Sequence, residues 1–201
     1  MSSTEQAESA LRAGEPVILP TDTVYGLCVD GYREEAVVRL ARLKGRPEGM
    51  ATAVLAADLE AILDAVPELR GRPAVLARAL LPGPFTLVFS NPARRFSWLA
   101  GSRPDTIGIR VPSLPNEARA VVERVGVVAA TSANLHGGPD PRRVDEIPEE
   151  LRNAAAAIVD SGELPGTPST VVDLTGPDAV VLREGAVSAG EALTRIAAAI
   201  R

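Results

Sequence analysis

Short apolar runs alternate with amphipathic stretches along this chain. Residues 33–44 form the clearest amphipathic stretch, because the alanine, valine and leucine side chains gather on one face of a helix while the charged ones point away. Gly45 follows directly and predicts a cap for that helix. Residues 17–19 predict a buried strand, and Pro20 places the strand's end because proline cannot donate to a sheet ladder. This alternation predicts an α/β fold.

The same pattern predicts the remaining elements and a mixed sheet. Further helices are expected at residues 5–13, 59–66, 74–81, 116–125, 149–156 and 189–200. A second apolar segment lies at 27–29, and strands are expected at residues 51–57, 85–89, 106–111, 127–131, 158–160, 169–174 and 180–183. Because short turns such as residues 175–178 join neighbouring strands near the end of the chain, the sheet is expected to be mixed rather than purely parallel.

Composition narrows the class of protein. The chain has 201 residues, which is enough for one sizeable core, and nothing in the pattern suggests a second domain over residues 1–201. Aromatic residues are only 3%, so the core must be built from valine, leucine, isoleucine and alanine. No apolar run reaches membrane-spanning length and the first fifteen residues do not resemble a signal peptide. We therefore expect a cytoplasmic protein without a membrane partner.

Charge and rare residues exclude several functions. The net charge of -5 argues against a protein that coats nucleic acid nonspecifically, because such binding needs dense lysine and arginine. Cys28 lies in an apolar run and is interpreted as a small buried hydrophobe. The only histidine, His136, lies in a Gly-Pro-rich loop and is interpreted as solvated. No P-loop, dinucleotide fingerprint, Cys/His metal spacing or Ser-His-Asp order is present.

The junction after the first predicted strand carries three polar side chains. Thr21, Asp22 and Thr23 follow Pro20 directly, at a strand end where loops usually carry ligand contacts. An ordinary turn stabilised by aspartate and threonine accounts for this segment equally well.

Cationic residues offer two candidate anion sites. Lys44 and Arg46 lie side by side at a helix end, as a phosphate clamp would require, although Lys44 alone could simply complement the helix dipole. Thr106 and Arg110 face one side of a predicted strand because side chains alternate. Arg110 therefore needs an anionic partner, either a ligand or a structural salt bridge.

Other candidates sit at strand ends. Ser132 and Asn134 follow a strand and could equally form a turn or helix cap. Ser169 begins a strand and Arg183 ends one, so both can face the same end of the sheet, and both could also be ordinary surface residues.

Seven motifs occur in the order found in a known family. They are PTDTVYGL (20–27), LKGRP (43–47), LPGPFTLVF (81–89), TIGIRVP (106–112), ATSAN (130–134), STVVD (169–173) and LREG (182–185). The chain resembles the YrdC-like threonylcarbamoyl-AMP synthases from about residue 17 to residue 185, in their short, single-domain form. The resemblance implies a twisted, open, mixed β-sheet flanked by helices, with a concave cleft for a nucleotide.

The resemblance also implies an activity and residue roles. Threonylcarbamoyl-AMP and pyrophosphate would be made from L-threonine, bicarbonate and ATP with Mg²⁺, for modification of adenosine 37 in tRNA. The implied catalytic residues are Lys44 and Arg46. The implied L-threonine contacts are Thr21, Arg110 and Ser169. The implied ATP contacts are Lys44, Arg46, Thr106, Ser132, Asn134, Arg142 and Arg183. No metal-ligating residue is assigned.

In some members Pro-Leu and then a histidine follow the cationic pair, whereas residues 50–55 here read MATAVL. That departure leaves open which side chains wall the amino-acid pocket.

The implied partners are the other proteins of tRNA threonylcarbamoyl transfer, with possible contact to tRNA or double-stranded RNA. Three alternatives stay open at this point. The chain could be a noncatalytic RNA-binding module, a protein that makes a different carbamoyl adenylate, as in hydrogenase maturation, or a paralogue of altered activity.

Overall fold

A computed structural model describes residues 2–199. Its helices are α1 Ser3–Arg12, α2 Glu34–Leu43, α3 Leu59–Ala65, α4 Arg72–Leu80, α5 Asn116–Val125, α6 Glu149–Ala154 and α7 Ala189–Ala199, with single 3-10 turns at Pro67–Leu69, Ser97–Leu99 and Val144–Glu146. Its strands are β1 Val17–Pro20, β2 Tyr25–Asp30, β3 Ala53–Ala56, β4 Phe85–Ser90, β5 Thr106–Arg110, β6 Val127–Ser132, β7 Ala157–Ile158, β8 Thr170–Asp173 and β9 Val180–Arg183. The predicted end of the closing helix, residue 200, lies outside the described residues.

The strands form one mixed sheet in the order β7-β1-β2-β6-β3-β5-β4-β8-β9. The pairs β1 with β7, β3 with β5 and β4 with β8 are parallel, and the other neighbouring pairs are antiparallel. The expected mixed sheet flanked by helices is therefore confirmed.

Helices bury the two faces of the sheet unequally. On one face, the larger core joins α2, α3, α4 and α7 to the sheet through side chains such as Leu40, Ile62 and Ile196. On the other face, a smaller core packs α1 and α5 over β1, β2, β6 and the end of β3. The rest of that second face, toward β5, β4 and β8, lines a cavity.

Alternation along β5 connects the larger core to the cavity. Ile107 and Ile109 are buried in the larger core. Thr106, Gly108 and Arg110 point to the opposite face and line the cavity, as the period of two in a strand requires.

Four predicted strands, at 51–57, 106–111, 158–160 and 169–174, are longer than the observed ones, and two of them show why. The strand predicted at 51–57 begins only at Ala53, because the amide of Thr52 donates to the carbonyl of Leu99 (2.9 Å) instead of to a neighbouring strand. The strand predicted at 158–160 is Ala157–Ile158, and the Asp160 carboxylate accepts a hydrogen bond from the Tyr25 hydroxyl (2.7 Å) beyond the strand's end.

Gly45 ends α2 as predicted. Its φ of 60° lies in the left-handed region, its amide donates to Arg42, and the amide of Arg46 donates to Ala41. These two bonds form a Schellman cap, which glycine makes without the penalty that a Cβ would bring. The cap reverses the chain between Lys44 and Arg46.

Gly185 brings the end of β9 against the start of β8. A Cβ at Gly185 would stand only 2.2 Å from the carbonyl oxygen of Pro168 and 2.6 Å from the carbonyl carbon of Ser169. Glycine is therefore needed at this backbone contact, which holds Arg183 beside Ser169.

We expect Gly185→Ala to destabilise the protein by about 1–3 kcal/mol, since backbone atoms would have to move to admit the methyl group. Thermal unfolding followed by circular dichroism measures the effect. Gly190→Ala in α7 is the matched control, because nothing lies within 4 Å of its added Cβ and alanine favours the helix. Equal melting temperatures for the two variants would contradict this interpretation of Gly185.

Candidate functional site

A cavity of about 380 Å³ lies on the second face of the sheet. Its floor comes from β6, β3, β5 and β4, and its rim comes from the loops after α2 and before β5, the loop containing Asp140, and the adjoining parts of β8 and β9. The charged side chains that line it are Arg46, Arg103, Arg110, Asp140 and Arg183. The cavity is therefore strongly cationic, with Asp140 as the one carboxylate among its described lining residues.

Two of the lining arginines already have carboxylate partners. Arg103 donates to Asp173 (2.7 Å), and Arg110 donates to Asp22 (3.0 Å). Because each pair neutralises itself, neither arginine adds much net charge to the cavity.

The other two lining arginines bond only to neutral groups within residues 2–199. Arg46 donates to the hydroxyl of Thr52 (2.8 Å) and to the carbonyl of Ala51 (2.7 Å). Arg183 donates to the carbonyl (2.9 Å) and hydroxyl (3.3 Å) of Ser169. Positive charge without a carboxylate partner is thus concentrated at these two positions, which favours an anionic ligand between them.

Lys44 lies at the edge of the cavity and is buried, with only 4% of its surface exposed. Its Nζ donates to the carbonyl of Ser132 and to Oδ1 of Asn134 (2.9 Å). Burial, with a smaller contribution from Arg46, lowers the pKa of Lys44 from 10.5 to about 8, although Asp140 partly opposes the shift. The ammonium is therefore poorly compensated and would gain from a nearby anion.

Asn134 connects Lys44 to the loop that follows β6. Its Oδ1 also accepts from the Ser132 hydroxyl (2.6 Å), and its Nδ2 donates to the carbonyl of Gly138 (2.6 Å). Ser132 lines the cavity, whereas Asn134 is buried behind it. Asn134 therefore acts on the cavity indirectly, by holding the side chains of Ser132 and Lys44.

Arg110 is held by the junction between β1 and β2. Its Nη2 donates to Asp22 and to the hydroxyl of Thr23, both at 3.0 Å, and the second oxygen of Asp22 accepts from the amide of Ser113 (3.1 Å). Its Nε is buried and has no hydrogen-bond partner among residues 2–199. The guanidinium itself lines the cavity, so an acceptor on a ligand could bind the part of it that faces the cavity.

Thr21 does not line the cavity. Its hydroxyl donates to the carbonyl of Val24 (2.7 Å) and lies 2.9 Å from the hydroxyl of Thr23, so it stabilises the turn. A direct contact with substrate would require that turn to change.

Ser169 and Thr106 both line the cavity. The hydroxyl of Ser169 lies 2.8 Å from that of Thr86, on the neighbouring strand, and Thr106 donates to the carbonyl of Arg103 (2.8 Å). Their hydroxyls are thus oriented by neighbours at opposite ends of the floor.

Arg142 points away from the cavity. Its side chain pairs with Glu163, donates from Nε to the carbonyl of Leu164 (3.3 Å) and packs over Gly166. Its implied contact with ATP stays a prediction, and in this arrangement Asp140, two residues earlier, lines the cavity.

Six polar residues that line the cavity were not predicted from the sequence, namely Thr52, Thr86, Ser102, Arg103, Thr131 and Asp140. Thr52 precedes β3 and binds Arg46, Thr86 lies within β4 and contacts Ser169, and Asp140 lies in the loop after β6. Alternation along β4 could have placed Thr86 on the same face as Val88, but no local pattern distinguishes Thr52 or Asp140.

A second cavity of about 420 Å³ lies between α4, α7 and the turn joining β8 to β9. Apolar side chains such as Leu76, Phe89 and Ile196 line much of it, and Arg72 and Asp178 are its charged lining residues. It carries no comparable cluster of cations, so we place the chemistry in the first cavity.

Two further searches of residues 2–199 gave negative results. No group of three or more histidine, cysteine, aspartate or glutamate side chains is arranged to hold a metal ion. None of the described helices combines the length and the apolar character needed to cross a bilayer.

The fold and cavity define a class: an α/β protein with an arginine-lined cleft on one face of a mixed sheet. A family model described as "Telomere recombination", which covers the Sua5, YciO and YrdC proteins, matches residues 9–185. The chain belongs to this Sua5/YciO/YrdC family, so the resemblance found in the motifs is confirmed.

Two curated relatives carry the name threonylcarbamoyl-AMP synthase. The protein of Pyrococcus abyssi is 33% identical over 180 residues, covering 89% of this chain and 53% of its own length. The protein of Vibrio parahaemolyticus is 31% identical over 189 residues, covering 92% of this chain and 100% of its own length. The relatives' name is that of an enzyme. The chain matches about half of the first relative and the whole of the second.

A solved structure shows the same fold. The crystal structure of P. abyssi Sua5 complexed with L-threonine superposes with a TM-score of 0.87 at 32% identity, covering 98% of this chain and 58% of the other. The predicted fold class is confirmed by this likeness.

The lowered pKa of Lys44 predicts a pH dependence of stability. Between about pH 8 and pH 10.5 the unfolded chain keeps a proton that the folded chain has released, so raising the pH favours folding in this window. We expect wild type to gain about 1–3 kcal/mol relative to Lys44→Met across it. Urea unfolding of both proteins at several pH values measures the difference. Parallel stability profiles would show that the pKa of Lys44 is not lowered.

Proposed function

We propose that this chain is a threonylcarbamoyl-AMP synthase, which makes threonylcarbamoyl-AMP and pyrophosphate from L-threonine, bicarbonate and ATP. One observation carries the proposal: a buried arginine with an unmet donor, Arg110, shares a cavity with the uncompensated cations Arg46 and Arg183 and with neighbouring Lys44. The names of the relatives support the same assignment.

L-threonine would bind through Arg110. A substrate carboxylate would accept from the part of the guanidinium that faces the cavity, and the guanidinium fork suits a planar carboxylate. Asp22 and Thr23 hold Nη2 and so orient the fork before the substrate arrives. Ser169 would contribute a hydroxyl nearby, and Thr21 would act indirectly by holding Thr23 in place.

ATP would place its phosphates among Lys44, Arg46 and Arg183. These three cations bond only to neutral groups among the described residues, so an incoming polyphosphate would not have to break an ion pair. Thr106 and Ser132 lie along one edge of the floor and could contact the nucleotide. Arg142 would have to leave Glu163 to reach it.

The reaction would proceed in two bond-forming steps. The neutral amine of threonine attacks the carbon of bicarbonate and water is lost, which gives an N-carboxylate. An oxygen of that carboxylate then attacks the α-phosphorus of ATP, and pyrophosphate leaves. Because several anions must meet in one cavity, the main task of Lys44, Arg46 and Arg183 is to offset their repulsion and to align the attack.

Mg²⁺ fits this cavity only as a companion of the nucleotide. Magnesium in such sites takes its ligands from substrate phosphates, water and one or two carboxylates, and Asp140 is the carboxylate that lines the cavity. When bound, the ion would neutralise phosphate charge.

Several statements remain predictions from the family resemblance: transfer of the threonylcarbamoyl group to adenosine 37 of tRNA, the partner proteins, any contact with tRNA or double-stranded RNA, and the roles of individual residues. The cytoplasmic location and the single domain over residues 1–201 remain predictions from length, composition and pattern.

The direct test is to measure pyrophosphate release and to identify the adenylate by mass spectrometry. We expect product only when ATP, Mg²⁺, bicarbonate and L-threonine are all present, because each supplies atoms or charge neutralisation that the reaction needs. An adenylate that forms without threonine would favour a paralogue with another substrate. RNA binding by well-folded protein without any adenylate would favour the RNA-binding alternative.

Two variants should separate the amino-acid and nucleotide contacts. We expect Arg46→Ala to lower ATP turnover at least about tenfold, since one of a few cations around a triphosphate is lost. Arg110→Lys keeps the charge but loses the fork, so it should weaken L-threonine binding while leaving nucleotide binding nearly unchanged. The rate of pyrophosphate release measures the first effect, and calorimetry with each ligand measures the second. If Arg110→Lys mainly weakened ATP binding, Arg110 would belong to the phosphate site.

A further inference from the structure

Gly108 occupies the middle of β5 although the protein itself does not require glycine there. Its φ is not in the left-handed region, and an added Cβ would meet only ordinary contacts, 3.8 Å from the Cα of Ala53 and 3.8 Å from Cγ2 of Thr86. Glycine inside a strand costs stability relative to alanine, and where packing does not demand it, it often marks close approach of a ligand.

Gly108 belongs to a row of small residues that runs across neighbouring strands of the cavity floor. Ala53 is paired with Ala130 across β3 and β6, and Ala53 lies beside Gly108 on β5. All three residues line the cavity, and none carries more than a methyl group. On the far side of Gly108 the row ends at Val88, which is paired with it across β4 and β5.

Arg110 stands two residues along the same face of β5. Two residues of strand span about 6.6 Å. A hydrogen bond of about 2.9 Å from Arg110, followed by the roughly 4 Å between the carboxylate and the methyl group of threonine, covers a similar distance. A ligand whose carboxylate is held by Arg110 can therefore place its side chain directly over Gly108. Any Cβ at position 108 would occupy that space.

We propose that Gly108 determines the amino-acid specificity of the site: its missing side chain forms the space that accepts the methyl group of threonine. This inference rests on the proposed function, because it assumes that Arg110 holds the amino acid. Ala53 completes the floor on one side, and Val88 limits its width on the other.

Calorimetric titration of L-threonine and L-serine into wild type, Gly108→Ala and Gly108→Val tests the proposal. We expect Gly108→Ala to weaken threonine binding about tenfold and serine binding less than about threefold, since serine lacks the methyl group that would meet the new side chain. Gly108→Val should abolish binding of both amino acids. Binding of ATP should change less than about twofold in Gly108→Ala.

Stability provides an independent readout. Alanine favours strands over glycine and its Cβ would meet only ordinary contacts, so Gly108→Ala should melt at or above the wild-type temperature while threonine binding weakens. Gly190→Ala in α7 adds the same methyl group away from the cavity and should bind both amino acids like wild type.

The failure of this inference is distinguishable from failure of the proposed function. If wild type binds threonine but Gly108→Ala leaves the ratio of threonine to serine affinity unchanged, Gly108 does not set specificity while the function stands. If Gly108→Ala weakens ATP binding more than threonine binding, the floor takes the nucleotide and the proposal is overturned. If wild type binds neither amino acid, with or without ATP, the proposed function itself is contradicted.

Discussion

The ion pair between Asp22 and Arg110 joins two parts of the sheet that are distant in sequence and is central to the cavity. Both side chains are nearly buried, with 11% and 12% exposed, and a buried charge is costly unless it is paired and hydrogen-bonded. Asp22 meets this requirement twice, through Arg110 and through the amide of Ser113. The turn that presents Asp22 is in turn stabilised by the hydroxyl of Thr21. Polar residues that looked like a ligand site in the sequence therefore position one guanidinium at the wall of the cavity.

The cationic residues of the cavity fall into two groups, according to whether their hydrogen-bond partners are charged or neutral. Arg103 and Arg110 are paired with carboxylates, so their value lies in orientation and hydrogen-bond donors rather than in net charge. Arg46 and Arg183 have neutral partners within the described residues, and their charge is available to an anion. The backbone decides which partners these cations have. Gly185 brings Arg183 to Ser169, and the Schellman cap at Gly45 places Lys44 and Arg46 next to the cavity. The backbone thus leaves these cations without a carboxylate partner among the described residues.

Local pattern predicted the elements well and the side-chain partners poorly, for physical reasons. Helix α5 and strand β9 have the predicted bounds, and alternation along β5 placed Thr106 and Arg110 on one face. These features follow from the spacing of apolar and polar side chains along the sequence alone. By contrast, whether Thr21 contacts a ligand or its own turn, and whether Arg142 points to the cavity or to Glu163, depends on residues that folding brings close from elsewhere in the chain. Thr52 and Asp140 were missed for the same reason.

The floor of the cavity shows why motif residues with little chemistry of their own can matter. The side chains of Ala130 and Ala53, with the bare Gly108 beside them, offer no hydrogen bond or charge, yet this row sets how deeply a ligand can lie against the sheet. Because glycine carries a conformational cost, its presence between Thr106 and Arg110, where a larger side chain would fit the fold, is best explained by the space that it leaves. Selectivity for a small substrate then depends on two features of one strand. Arg110 supplies the donors that orient the ligand, and Gly108, two residues earlier, leaves space for the ligand's side chain.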